Sequence, residues 1–157
     1  PPDAPVVLVE YGDFECPHCA RAHGVVKALR SHLGDGLCFV YRHFPLATIH
    51  PHATLAAEAA EAAAAHGEFW QMHDTFFEHQ DALELAELEA YAREIGMDVD
   101  AFDADLVGRR HAAHVQEDFR SGVASGVNGT PTFFINGARH EGGYDFSSLL
   151  LALERAA

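Results

Sequence analysis

β-patterned segments stand only at the two ends of this chain, and the long stretch between them reads as helix, a layout that few folds accommodate. Val6-Val7-Leu8-Val9 is a short, continuous apolar run of β-branched character, the pattern of a central strand buried on both faces. It ends at Gly12-Asp13. Pro17 suits a first helical turn, so a helix is predicted from about Cys16 to Leu33, with Val25, Leu29 and Leu33 on one face and Gly34-Asp35-Gly36 closing it. Leu37 to Phe44 is the second strand, stopped by Pro45. Helices are then predicted over Ala53 to Ala65, Glu68 to His79, Leu85 to Ile95 and Val99 to about Val123. The first of these is rich in alanine, which favours helix and lets a neighbouring helix approach closely. The strand pattern returns at Thr132-Phe133-Phe134-Ile135, with Asn136-Gly137 as a tight hairpin turn and Ala138 to Glu141 as the return strand. Phe146, Leu149, Leu150 and Leu153 mark a last helix. The order β, α, β, helical block, β, β, α predicts a single α/β domain over 1–157. Its core comprises 5–45 and 127–157, and an all-helical insertion covers about 46–126.

A chain of 157 residues that is 48% hydrophobic can build an ordinary core without a metal or disulfide staple. Its formal net charge of −14 argues against nucleic-acid or anionic-membrane surfaces, which need clustered Lys and Arg. Protonating all 12 histidines would bring that charge to −2, so solubility is expected to respond to pH near 6. No apolar run approaches the roughly 18 residues of a membrane span, so no direct membrane insertion is expected. No signal-like segment precedes the first strand, and the start at Pro1-Pro2 without Met is the pattern of a processed or shortened chain.

Chemistry concentrates at Cys16-Pro17-His18-Cys19, where the first strand hands over to the first helix. The three-residue spacing puts both sulfurs within reach of each other. Unpaired N–H groups and the positive end of the helix dipole favour a thiolate there, and His18 adds to this as a cation or a donor. Cys16 is thus expected to be the exposed, low-pKa nucleophile and Cys19 the less exposed resolving thiol. Whatever stabilises the Cys16 thiolate stabilises the reduced dithiol and makes the disulfide a stronger oxidant. Zinc sites use the same spacing, and His23, four residues after Cys19, supplies a possible third ligand.

Context decides between these readings. The segment Glu10-Tyr11-Gly12-Asp13-Phe14-Glu15-Cys16-Pro17-His18-Cys19, Tyr41-Arg42-His43-Phe44-Pro45, and the segment Gly129-Thr130-Pro131-Thr132-Phe133-Phe134-Ile135-Asn136-Gly137 together resemble the DsbA-like thiol–disulfide oxidoreductases of the thioredoxin superfamily. The similarity spans essentially the whole chain. It implies a thioredoxin fold trimmed to about four strands in a mixed sheet, with the helical insertion between the second and third. It further implies Cys16 and Cys19 as the redox pair, with no cofactor beyond their disulfide. The intervening Pro17-His18 is the dipeptide of strongly oxidising members. Pro131 matches a cis-proline that presents the backbone of Thr130 to an extended substrate strand. Glu10 matches a buried acid that relays the proton of Cys19; the plainer reading is a solvent-facing strand-end glutamate.

By this resemblance the chain is a monomeric dithiol oxidase of reduced proteins or peptides. It is extracytoplasmic and reoxidised by a quinone-coupled membrane partner. Reductase or isomerase activity is the alternative. Another is a redox-regulatory domain of a larger protein, since similar compact domains occur fused to Na+/H+ antiporters, which also leaves a cytoplasmic face open. A metal-binding module using Cys16, Cys19 and histidines is a further alternative.

The remaining candidates read more plainly. Cys38 alternates with Leu37 and Phe39 and is assigned to packing. His50 with His52, and His111 with His114, read as surface histidines, and His43 receives no role. Between Asp81 and Asp105 stand nine carboxylates against Arg93 alone. This is a solvated helix face, or a lobe that turns acidic partners away.

Overall fold

The computed structural model describes residues 1–157. β1 (Val6–Gly12), α1 (Pro17–Leu33) and β2 (Leu37–His43) form the first unit. A block of five helices follows: α2 (Ala53–Ala64), α3 (Phe69–Glu78), α4 (Leu85–Glu94), α5 (Val99–Val107) and α6 (Ala112–Ala124). β3 (Thr132–Ile135), β4 (Ala138–Arg139) and α7 (Phe146–Ala156) complete the chain. The sheet has four strands in the order β2-β1-β3-β4, with β1 parallel to β2 and antiparallel to β3, and β3 antiparallel to β4. This is the thioredoxin fold with the helical insertion between the second and third strands.

β1 is central, but its burial alternates over Val6–Glu10, with Val6 and Leu8 enclosed and Val7 and Val9 half-covered. Only its last residues are enclosed throughout. On α1 the buried stripe is Cys19, Ala22, Val26 and Leu29, so Val25 and Leu33 flank the stripe instead of forming it. Ala22, Val26 and Leu29 pack with Leu8, Leu149 and Leu153 against one face of the sheet. Cys19, at the start of the same stripe, belongs to a second cluster that is built mostly from the insertion. α2 contributes small, fully buried alanines there, which bring α3, α5 and α6 close.

Three further sequence expectations change. The helix over Val99 to Val123 is two helices, because Arg109 adopts a left-handed conformation (φ 50°). The Arg110 N–H then bonds the Asp105 carbonyl and the Arg109 N–H that of Leu106, a Schellman ending. The Arg109 guanidinium holds the buried Glu58 carboxylate at 2.9 Å, so a tertiary ion pair offsets the cost of that backbone shape. The return strand stops at Arg139, and His140 turns its ring to the Gly143 carbonyl. Cys38 is only half-buried and lines an open cleft instead of filling the core. The hairpin turn itself has the expected geometry, with positive φ at Asn136 and Gly137. Asn136 also accepts from the Val7 N–H and donates to the Ala156 carbonyl, tying β1 to the end of α7.

Candidate active site

Cys16 is the N-cap of α1, with extended backbone and Pro17 in the first turn. Because the cap has no side-chain acceptor for the helix N–H groups, those groups are available to a sulfur anion. The Cys16 thiol is pulled down to about 5. The largest cause is hydrogen bonding from the Cys19 thiol; burial opposes it, and Thr130 and the backbone N–H groups of Cys19 and His18 reinforce it. The Cys16 sulfur lies 3.5 Å from the Thr130 carbonyl, and the Thr130–Pro131 peptide bond is cis. The Thr130 hydroxyl is buried with no settled partner and is free to turn to a Cys16 thiolate.

Cys16 is less open than its sequence position suggests: 4% exposed, against 0% for Cys19. Both thiols are enclosed, and deeper desolvation of Cys19, together with hydrogen bonding and nearby charge, separates them. Cys19 is pushed far above the ordinary thiol range, first by burial, then by its bond to Cys16 and the negative charges of Glu10 and Cys16. Glu10 is buried, which settles the choice between the enclosed acid and the solvent-facing glutamate. It sits across the sheet from Tyr41 on β2 and Phe133 on β3, and burial followed by the Cys16 charge raises it to about 8. Its Oε1 and the Tyr41 hydroxyl are both enclosed without partners. Tyr41 lies so close to Gly12 that a Cβ there would stand 2.6 Å from its hydroxyl, which is why β1 ends in glycine.

His18 does not reach the sulfur with its ring. The imidazole is exposed and turns to the Tyr144 hydroxyl at 3.1 Å and to Arg21, so its contribution to Cys16 is its backbone N–H. His23, offered by its spacing as a zinc ligand beside the two cysteines, instead joins His73 and Asp74, with donor atoms within 4.8 Å of one another and neither sulfur among them.

Several residues that sequence reasoning passed over hold the loop before Cys16. Gln80 donates to both the Phe14 carbonyl (2.8 Å) and the Cys16 carbonyl (2.9 Å). Asp13, 2% exposed, accepts from the Glu15 and Leu46 N–H groups and pairs with His50 at 2.7 Å. Glu15 takes both the ring and the backbone N–H of His52. His43, in turn, is buried and bonded to Glu61 at 2.7 Å. His50 and His52 are thus partners of the active-site loop, and His111 and His114 lie beside Asp105, Glu61 and Asp118. The acid next to Cys16 in the sequence, Glu15, was the one available sign of such pairing.

A helix-capping thiol of low pKa, a buried partner thiol one turn on and a cis-proline opposite define a site for thiol–disulfide exchange on a thioredoxin-like scaffold. The thioredoxin family model matches residues 1–155, and the chain belongs to that family. It is 49% identical to Na(+)/H(+) antiporter NhaA 1 of Mycobacterium sp. (strain KMS), a match covering 98% of this chain and 25% of the antiporter. It is 48% identical to the Na(+)/H(+) antiporter NhaA of Herminiimonas arsenicoxydans, over 98% of this chain and 24% of that protein. The chain spans about a quarter of the length of these relatives. Among solved structures, a thioredoxin-like oxidoreductase from Silicibacter pomeroyi DSS-3 superposes with a TM-score of 0.87 at 29% identity, covering 99% of this chain and 88% of that one. BdbD from Bacillus subtilis (0.86, 22% identity, 98% and 88% covered) and alpha-DsbA1 from Wolbachia pipientis (0.86, 21%, 99% and 87%) share the fold.

Proposed function

We propose that this domain is a dithiol oxidase that passes a Cys16–Cys19 disulfide to reduced, extended protein or peptide segments. The observation that carries this reading is the opposition between the two thiols: Cys16 held down to about 5, Cys19 held far up. A substrate thiolate attacks the Cys16 sulfur, the Cys16–Cys19 bond breaks, and Cys19 leaves with the electron pair and takes a proton. Glu10, raised to about 8 and therefore protonated at neutral pH, is the proton source beside it. A second substrate thiolate then attacks the substrate sulfur of the mixed disulfide. Cys16 departs as a thiolate, and its low pKa makes it a good leaving group. The substrate has lost two electrons and gained a disulfide; the domain holds the dithiol. Thr130 and Pro131 offer the backbone edge against which the substrate strand lies. The redox pair is the only prosthetic chemistry required. A quinone-coupled membrane oxidase is the reoxidising partner on this reading, with the domain acting as a monomer on the extracytoplasmic side.

The antiporter relatives favour a second reading, in which the same exchange regulates an attached transporter. The first reading requires an oxidising pair; a reductase does not. Equilibration with glutathione buffers, together with titration of the Cys16 thiolate absorbance, is expected to give a midpoint near pH 5 and a potential well above that of thioredoxin, about −270 mV. A potential at the thioredoxin end overturns the oxidase direction. Cys16→Ser is expected to abolish dithiol oxidation, and retained turnover would remove Cys16 from the mechanism.

A further inference from the structure

One turn beyond Cys19, on the flank of α1 that faces α3, two imidazoles and a carboxylate converge outside the exchange site. His73 Nδ1 lies 2.9 Å from Asp74 Oδ1, and His23 Nδ1 lies 3.9 Å from the same oxygen. All three donor groups are within 4.8 Å of one another. A tetrahedral zinc ion, bonded at about 2.0–2.1 Å to nitrogen and oxygen, spaces its donors about 3.3 Å apart. That value falls between the two distances to Asp74, and with all three donors inside 4.8 Å the imidazoles must draw closer together to share one ion.

The rings are already aimed. His23 lies flat on Phe77, with centroids 5.3 Å apart, and His73 is wedged among Phe77, Trp70 and Tyr41. Packing therefore fixes both donors before any ligand arrives, which lowers the ordering cost of binding. His23 Nε2 stands 3.9 Å from Glu78 Oε1, too far for a hydrogen bond but close enough for the carboxylate charge to favour a cation at this imidazole.

His73 gives the independent sign of a missing ligand. It is 3% exposed, and its Nε2 has no hydrogen-bond partner. With the proton on Nδ1 bonded to Asp74, the buried Nε2 lone pair goes unsatisfied. With the proton on Nε2, directed at the aromatic cage, the Nδ1 lone pair opens toward Asp74 and His23 with no donor between them. A cation in that space satisfies the Nδ1 lone pair of the second arrangement, with the Nε2 proton left to the aromatic rings around it. Access exists, because Asp74 and Lys27 line an open cleft of about 610 Å³ on this side of the molecule.

We propose that His23, His73 and Asp74 form a binding site for a divalent transition cation of the zinc class, with one coordination position left to solvent. Imidazole and carboxylate ligands suit zinc, and the set differs from any site built on the cysteines. The test uses the Cys16→Ser/Cys19→Ser/Cys38→Ser variant, so that no thiol competes, with zinc chloride as titrant in calorimetry. One saturable site per chain is expected. Adding His23→Gln, or separately Asp74→Asn, should weaken it by about tenfold or more. Asp74 lines the open cleft, so its variant spares the aromatic core, while His23→Gln keeps a side chain of similar length against Phe77. Cobalt(II) on the thiol-free protein should show the intense visible absorption of a four-coordinate site, lost in His23→Gln. No saturable zinc binding by the thiol-free protein, or binding that neither substitution weakens, overturns the proposal.

Discussion

The two main hydrophobic clusters meet along α1, yet they are built on opposite terms. The sheet-side cluster, with Leu8, Leu29, Leu149 and Leu153 at its centre, is wholly apolar. The cluster under the insertion encloses Cys16, Cys19 and Tyr41, with the buried His73 and His43 packed against its rings. Several of these enclosed polar groups, or groups beside them, have no partner: Tyr41 Oη, His43 Nδ1, His73 Nε2 and Glu10 Oε1. An unsatisfied buried polar atom costs about 1–3 kcal/mol. Both clusters bury apolar surface, but only the insertion side and its border keep groups whose protonation can change. The lesson is that the helical insertion does more than roof the sheet. It supplies the low-dielectric surroundings that separate the two thiols.

The comparison can be broken first where the effect is largest. Leu8→Ala, at a fully enclosed position of the sheet-side cluster, is expected to cost about 2–5 kcal/mol in denaturant unfolding and leave the Cys16 titration near pH 5. A moved thiolate midpoint would mean that the clusters are not separable.

Glu10→Gln probes the border between the two, where Glu10 stands in register between Tyr41 of one cluster and Phe133 of the other. The folded-state value of Glu10 is raised, from an ordinary 4.5 to about 8. Through that window the unfolded chain ionises while the folded one keeps its proton, so the wild type loses stability as pH rises. The variant lacks this loss. Its stability relative to wild type, in the reduced state, should therefore climb between pH 4.5 and pH 8 and level off above, at roughly 1.4 kcal/mol per pH unit at most. A flat difference would place Glu10 in water.

Gln80→Ala removes two hydrogen bonds to the loop carrying Cys16 and is expected to cost about 1–2 kcal/mol. Alkylation of Cys16 should quicken as that loop loosens; an unchanged rate would limit Gln80 to helix packing. The smallest effect concerns the acidic stretch between Asp81 and Asp105. Basic model peptides should be oxidised several-fold faster than acidic ones at low salt, with the rates converging at high salt. Equal rates throughout would leave that face as solvated surface alone.

Element order, the central strand, the hairpin turn and the placement of both cysteines were legible in the sequence because each rests on neighbours within a few residues. The break at Arg109 was not, since a left-handed arginine is held there by Glu58, 51 positions away. For the same reason His50 and His52 read as surface residues. Their partners, Asp13 and Glu15, are 37 residues distant and meet them only when the β2–α2 connection folds back over the active-site loop. Gln80 carries no motif at all; its role comes from where the end of α3 lands.

Local chemistry along the chain determined that a sulfur stands at a helix N-terminus, that a second follows one turn later, and that a Thr-Pro pair precedes the third strand. Tertiary structure decided what those atoms experience. Cys16 gains the Cys19 thiol and Thr130 as partners, Cys19 and Glu10 lose water, and His18 turns its ring away to Tyr144. Spacing along a chain sets which groups can be near, whereas desolvation depends on everything that closes around them. Here most of that enclosure comes from residues far away in sequence.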